Sequence, residues 1–343
     1  MIKMEINYKK NLEDALNGKQ VDITPVITVT QSGILDAMEL TGTSWPRAHE
    51  DPEQMATLGA SLHELAGLED AKIPFCLAVE AESMGCTVDL GSGGRTPEVV
   101  KSPFDNPREI EIPDDFETSG RIPVICEAVE ILHERYDNLP VCVGITGPFT
   151  VAGHMIGVEE ILKMINLDYY GVEAAVDVAT EAVIAYIKVL NEVKPDIICV
   201  ADPTSSGDLL SPLDFQQISR PPLEDIQEAM KSQNVLHICG HTGNMLKDML
   251  SSGYNGISIE EAVDMRYAQE VKESLGNICQ VCGNISTSKT LYRGTPEEVR
   301  KEVLEALEKG VDVVAPSCGI AAASPLKNIQ AMVNARNEYF DIE

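Results

Sequence analysis

Positive charge is scarce in this sequence. Lys and Arg number 26 against 55 Asp and Glu, which gives a formal net charge of −29 at pH 7. An exterior this acidic repels phosphate backbones and anionic lipid head groups. Nucleic acid and anionic membrane surfaces are therefore excluded as partners over most of the surface.

Long apolar runs and a regular cysteine pattern are also missing. No run of eighteen uncharged apolar residues occurs, and residues 1–10 lack the apolar core of a signal peptide. The nine cysteines are odd in number and irregularly spaced, unlike a disulfide framework. No period of 20 to 50 residues repeats, which argues against a solenoid. We therefore expect a cytoplasmic globular protein.

Eight short apolar runs rich in β-branched residues recur along the chain, and helical patterns separate most of them. The helix before the last strand shows its boundaries clearly, with Thr295 as N-cap, Pro296 at the first position, Glu298 completing a capping box and Gly310 after the end. Such alternation predicts an α/β fold with parallel strands closed as a (β/α)8 TIM barrel, a doubly wound open sheet being the alternative. The predicted strands are 23–29, 73–79, 140–145, 195–200, 235–239, 256–259, 278–282 and 311–315.

Two stretches interrupt the alternation. Residues 1–22 read as an N-terminal helical extension, and residues 82–120, rich in Gly, Pro and charge, read as a decorating insertion. We expect both to belong to a single barrel domain spanning 1–343.

The segment around His237 and Cys239 has the spacing of a metal site. Side chains two apart in a strand share a face, so both can reach one ion. Cys318 follows the eighth strand, and the loops after the strands of a barrel gather at one mouth. Three N/S ligands leave a fourth position of zinc free for substrate. Glu260, which ends the sixth strand, either fills that position at rest, or contacts a metal ligand from outside, or is a carboxylate at a helix N-terminus.

The ligand types indicate the chemistry. A free thiol is only a few per cent thiolate at neutral pH, whereas a zinc-coordinated thiol is deprotonated outright. Two cysteine thiolates keep the site electron-rich, which suits alkyl transfer to a substrate sulfur. Hydrolytic zinc sites more often use His and carboxylate ligands with a bound water. Thiol alkylation is therefore favoured over hydrolysis.

Four further polar residues follow strands at the expected mouth. Asp202 ends the fourth strand, as a positioning carboxylate or a cap of the next helix. Gln31 follows the first strand and Asn284 the seventh, both as candidate substrate-pocket residues. His241 flanks the metal site, in its second shell or substrate pocket, or as a solvated loop histidine.

A C-x-x-C formed by Cys279 and Cys282 competes as a metal motif. It lies within a predicted strand, where a spacing of three puts the two side chains on opposite faces. Two packed cysteines are therefore the favoured interpretation.

The sequence resembles the methylcobamide:coenzyme M methyltransferases of methanogenic archaea, within the uroporphyrinogen decarboxylase-like superfamily. The resemblance implies a (β/α)8 barrel in which His237, Cys239 and Cys318 hold zinc, with the carboxylate of Glu260 near the metal. It also implies that coenzyme M binds zinc through its thiolate and that the methyl group comes from methylated cobalt. The segments that carry the resemblance are 15–18, 21–22, 25–26, 30–33, 45–46, 48–49, 84–86, 146–149, 201–203, 236–240 and 315–320.

Two departures narrow this expectation. The loop 30–33 lacks the arginines with which porphyrin decarboxylases hold carboxylates, so that activity is disfavoured. The corrinoid-ligand pattern Asp-x-His-x-x-Gly is also missing, because Val235 stands where its Asp would be, so a methylated corrinoid protein must be a separate partner. Segments 30–33 and 258–261 favour the methanol type over the methylamine type. A decarboxylase-like enzyme and a non-catalytic corrinoid- or zinc-binding module are the alternatives.

Overall fold

The computed structural model describes residues 6–342, and its centre is a parallel sheet of seven strands. The sheet has the order β1-β4-β5-β6-β7-β8-β9, while β2 and β3 form a separate antiparallel pair. The strands are β1 (Ala71–Ile73), β2 (Thr87–Asp89), β3 (Glu98–Lys101), β4 (Val141–Thr146), β5 (Ile197–Ala201), β6 (Gln233–His237), β7 (Gly256–Ser258), β8 (Gln280–Ile285) and β9 (Val313–Pro316).

An irregular segment that contains Val26 and Thr28 occupies the position of the eighth barrel strand. Val26 forms a parallel bridge with Val314 of β9, and its carbonyl accepts from the N–H of Glu69, just before β1, at 2.8 Å. On that side the carboxylates of Glu69 and Asp70 accept the N–H groups of Val26 and Thr28, at 3.2 and 2.9 Å. The barrel prediction is confirmed, but strand 23–29 is wrong as a regular strand because side chains replace part of its ladder.

The second predicted strand is also displaced. Strand β1 ends at Ile73, because Pro74 has no N–H with which to continue the ladder. Val79, predicted as the end of that strand, is the first residue of a helix. The other six predicted strands overlap β4 to β9, with shifted ends; β6, for example, ends at His237, so Cys239 lies in the loop.

Helices cover the outside of the barrel. Helix α1 closes the amino end, where Leu12 and Leu16 pack with the inward-facing residues of the strands. The helical extension is thus present; residues 1–5 of it lie outside the described residues. No helix within 6–342 is long and apolar enough to cross a membrane. The helices are α1 (Tyr8–Leu16), α2 (Leu35–Thr41), α3 (Pro52–Ala66), α4 (Val79–Ser83), α5 (Ile122–Arg135), α6 (Pro148–Ile156), α7 (Val158–Leu167), α8 (Tyr169–Val193), α9 (Pro212–Asp214), α10 (Arg220–Ala229), α11 (Leu246–Leu250), α12 (Met265–Ser274), α13 (Pro296–Glu308) and α14 (Leu326–Tyr339).

Successive side chains along the strands point alternately into and out of the barrel, and they form two separate apolar clusters. Inward-facing residues, among them Cys142, Cys199, Val235 and Cys282, fill the barrel, and outward-facing residues pack under the helices. The stretch 82–120 contains the hairpin β2–β3 and two short 3-10 helices, and its role as a decoration of one domain stays a prediction.

Candidate metal centre

The carboxyl ends of β6, β7 and β9 bring four side chains together. His237 ends β6, Cys239 lies two residues beyond it, and Glu260 and Cys318 lie two residues beyond the ends of β7 and β9. One potential ligand atom from each lies within 4.8 Å of all the others. The His237 Nε2 is 3.2 Å from the Cys239 Sγ, which is 3.5 Å from the Cys318 Sγ.

These separations suit zinc. Tetrahedral coordination with Zn–N near 2.0 Å and Zn–S near 2.3 Å places neighbouring ligand atoms roughly 3.5 to 3.8 Å apart. The two observed distances lie within a few tenths of an ångström of that range. One imidazole, two thiols and one carboxyl are also ligand types that zinc accepts. The residues present therefore fit the metal that the sequence predicted.

A serine from the neighbouring strand orients the imidazole. Ser258 of β7 is the register partner of His237, and its Oγ lies 3.1 Å from Nδ1. Both residues are buried. With Nδ1 held in this way, Nε2 faces the two sulfurs and can present its lone pair to a metal.

A glycine allows the loop after Cys239 to pack closely on another loop. Gly240 has φ of +79°, and a Cβ there would lie 2.1 Å from the Oδ2 of Asp208. That oxygen accepts the N–H of His241 at 3.1 Å. The same aspartate contacts the His241 Nδ1 at 2.8 Å, and the imidazole is exposed. His241 is thus turned toward Asp208.

The four groups shift one another's pKa values. Hydrogen bonds from Cys239 and His237 lower the pKa of Cys318 to about 4, although burial opposes the shift. The Cys318 thiolate and burial together raise the pKa of Cys239. Burial lowers the pKa of His237, but the hydrogen bond and charge of Cys318 outweigh it and the net pKa is raised. Burial and the same thiolate raise the pKa of Glu260. A bound cation would reduce the electrostatic repulsion between the two sulfurs and the Glu260 carboxylate.

Two of the predicted pocket residues hold the loops that carry the cluster. The Gln31 Nε2 donates to the carbonyl of Ile320 at 2.6 Å, two residues beyond Cys318. The Asn284 Nδ2 donates to the carbonyl of Val263 at 2.8 Å and to that of Glu260 at 3.3 Å. These contacts fix the loops after β7 and β9.

Asp202 serves a different helix from the one considered in the sequence. Its Oδ1 accepts from the N–H and Oγ1 of Thr150, at 2.8 and 2.5 Å, in the first turn of α6. It therefore caps a helix that precedes it in the chain. Burial raises the pKa of its carboxyl, although the Thr150 hydrogen bonds oppose the shift.

Sequence reasoning missed two residues that shape the site, Ser258 and Asp208. Ser258 precedes Glu260 by two positions, so strand spacing predicts that both side chains face the barrel interior. Nothing in the local pattern links Asp208 to His241, which lies in the loop after the next strand.

Comparisons with known proteins agree with this architecture. The family model described as Uroporphyrinogen decarboxylase (URO-D) matches residues 7–339. The chain belongs to the uroporphyrinogen decarboxylase family. Within this family, the methylcobamide:CoM methyltransferase MtaA of Methanosarcina barkeri is 40% identical over 98% of this chain and 99% of its own length. A methylated-thiol–coenzyme M methyltransferase of Methanosarcina mazei is 33% identical over 96% and 90%.

A solved family structure has the same fold. It is a methyltransferase from Methanosarcina mazei, 40% identical, with a TM-score of 0.94 over 98% of this chain and 100% of that one. The resemblance to the methyltransferase branch, expected from the sequence, is therefore confirmed.

Proposed function

We propose that this chain is a zinc-dependent methyltransferase that moves a methyl group from a methylated corrinoid protein to the thiol of coenzyme M. The observation that carries the proposal is the cluster of His237, Cys239, Glu260 and Cys318 at the barrel mouth. The names of the family members at 33% and 40% identity support the same reaction.

The roles of the residues follow from their contacts. His237, Cys239 and Cys318 would hold the zinc, with Glu260 as the ligand most readily replaced, because it is the hard oxygen donor among softer ones. When bound, zinc supplies a Lewis acid that keeps a coordinated thiol deprotonated at neutral pH. The pair of cysteine sulfurs keeps the site electron-rich, and Ser258 fixes the imidazole.

The reaction forms a sulfur–carbon bond and breaks a cobalt–carbon bond. The thiolate of coenzyme M attacks the methyl carbon in line, and the electron pair of the broken bond stays on cobalt. All four cluster residues lie at the carboxyl ends of strands, where a partner protein can present its corrinoid. We assign the methanol type to the upstream donor, on the sequence of segments 30–33 and 258–261.

A decarboxylase-like activity is less well supported. The loop 30–33 offers Thr30, Gln31, Ser32 and Gly33, with no arginine to bind the carboxylates of a porphyrin.

A methyl-transfer assay tests the proposal. Protein, methylcobalamin as donor and coenzyme M as acceptor are mixed, and loss of the methylcobalamin spectrum is followed together with zinc content. We expect activity to disappear on chelation, to return with zinc, and to be lost in Cys239→Ala. Cys279→Ala, in the competing C-x-x-C, should keep both zinc and activity. Activity in chelated protein, or in zinc-free Cys239→Ala, would contradict the proposed mechanism.

A further inference from the structure

A buried lysine points into the barrel below the mouth. Lys72 lies on β1 and is 2% exposed. Its Nζ donates to the carbonyl of Ile73 at 3.1 Å. Within residues 6–342 that carbonyl is the one acceptor at hydrogen-bond distance, although an ammonium has three donors. Buried ammonium groups are normally paired, so the spare donors call for a ligand.

A glycine leaves space beside this ammonium. Gly144 of β4 lies on the same strand face as Cys142, which belongs to the barrel interior. A Cβ at Gly144 would lie 2.3 Å from the Lys72 Nζ. Gly144 is partly exposed, whereas its neighbours Val143 and Ile145 are buried. The exposed face of Gly144 therefore opens into the barrel, and the Lys72 Nζ lies beside that opening.

The level of Lys72 relative to the metal cluster follows from the tilt of the strands. Register pairs join His237 on β6 through Ser258 and Cys282 to Val313 on β9, so the position two residues beyond His237, that of Cys239, corresponds to Ala315. The sulfur that contacts Cys239 nevertheless belongs to Cys318, three residues further along and three strands away. Residues at equal height along the barrel axis therefore lie about one position further along the chain on each successive strand from β6 to β9. This is the shift of an eight-stranded barrel with a shear of eight.

The same tilt places Gly144 beside the metal cluster. In the other direction, His237 pairs with Ala201, and Ala201 with Thr146. The shift of about one residue per strand now runs backward over two strands. The residue of β4 at the height of His237 is therefore Gly144, two positions before Thr146. Gly144 and His237 therefore lie at one height, about 10 Å apart across two inter-strand spacings, and both face the interior. The ammonium beside Gly144 and the imidazole therefore flank the same part of the barrel interior.

The nearby acid does not neutralise this lysine fully. The carboxylate of Asp70 accepts from the N–H and Oγ1 of Thr28, at 2.9 and 2.8 Å, rather than from Lys72. Burial raises the pKa of Asp70 to about 7, so near neutral pH much of it carries no charge. This part of the barrel interior thus combines the candidate metal cluster with a cation that lacks a complete partner.

We propose that Lys72 binds the acidic group of the thiol substrate, and that Gly144 provides the space for it. This inference rests on the proposed function, which makes the substrate a thiol with a sulfonate two carbons away. Sulfur at the cluster and sulfonate at Lys72 would span the gap between these two walls. Lys72 then determines specificity for an anionic over a neutral thiol.

Two thiols test the assignment in the zinc-loaded full-length chain. Coenzyme M and uncharged 2-mercaptoethanol are compared as methyl acceptors. Lys72→Met should raise KM for coenzyme M by about 10- to 100-fold, the usual loss for a hydrogen bond to a charged group. KM for 2-mercaptoethanol should not change. Lys289→Met, which removes an exposed cation after β8, should leave both values unchanged. Retained preference for the sulfonate in Lys72→Met, or an equal change for both thiols, would overturn the assignment.

A second variant and a binding measurement separate this inference from the proposed function. Gly144→Ala, which keeps the lysine but fills its space, should also raise KM for coenzyme M alone. Ethanesulfonate, which has no thiol, should bind wild-type protein in calorimetry and bind Lys72→Met at least tenfold more weakly. If wild-type protein transfers methyl to neither thiol, the proposed function fails. If it transfers to both while the variants match wild type, only the Lys72 assignment fails.

Discussion

Removal of the Ser258 hydroxyl should weaken zinc binding without unfolding the barrel. Its Oγ lies 3.1 Å from the Nδ1 of buried His237, so Ser258→Ala removes an acceptor from a ring that has no access to bulk water. The imidazole can then turn, and its Nε2 is no longer fixed toward Cys239. The expected consequence is a lower affinity for zinc.

The size of the effect can be bounded. Loss of an outer partner of a metal-bound histidine costs about 10- to 100-fold in metal affinity. His237 keeps its place on β6 in the variant, because its backbone pairing with Ser258 does not involve the lost hydroxyl. We therefore expect the lower end, about tenfold, which corresponds to about 1.4 kcal/mol.

Competition with a chromophoric zinc chelator measures this affinity. Ser252→Ala is the matched control, because Ser252 is equally buried and donates to the carbonyl of Met249 at 2.7 Å, before the amino end of β7. It should lose some stability and keep its zinc affinity. Wild-type affinity in Ser258→Ala, or equal weakening in both variants, would refute the reasoning.

Three further changes test the barrel and the loop of Cys239. Arg336→Met leaves Glu69, its ion-pair partner at 2.5 Å, as a lone buried charge, and should cost about 3–5 kcal/mol in denaturant unfolding; a loss below about 1 kcal/mol would contradict this. Burial raises the pKa of Asp70 to about 7, so the folded protein keeps a proton that the unfolded chain loses, and stability should fall between about pH 4 and 7. Asp70→Asn should reduce that fall in unfolding curves at pH 5 and 7; unchanged pH dependence would disprove the link. Gly240→Ala places a Cβ 2.1 Å from a carboxylate oxygen and should lower zinc affinity, whereas Gly243→Ala, with open space around it, should not; equal titrations would contradict the packing argument.

The alternation of apolar runs and helices was enough to predict the barrel, but not how it closes. The first run has the composition of a strand, yet the partners of Val26 and Thr28 include carboxylates more than 40 residues away. Local hydrophobicity cannot show that side chains will replace backbone acceptors. Pro74 did carry a local signal, and it ended β1 where a continuous apolar run suggested otherwise.

The metal cluster could be predicted because its first two members have a local spacing that indicates a shared face. His237 and Cys239 are two apart, so a strand pattern predicts them on one face; Cys239 lies just beyond β6, and the barrel brings Cys318 to both. The residues around the metal cluster could not be predicted. A lysine in a short strand such as Lys72 is ordinarily exposed, and only the glycine on the neighbouring strand shows that its ammonium lies inside.

X-ray absorption at the zinc edge tests the central claim most directly. The zinc-loaded protein should show two sulfur ligands at rest, from Cys239 and Cys318, and three after addition of coenzyme M. Loss of one light-atom ligand at the same time would identify the position that Glu260 or water fills at rest. A sulfur count that stays at two with saturating coenzyme M would contradict an open zinc site that receives the substrate thiol.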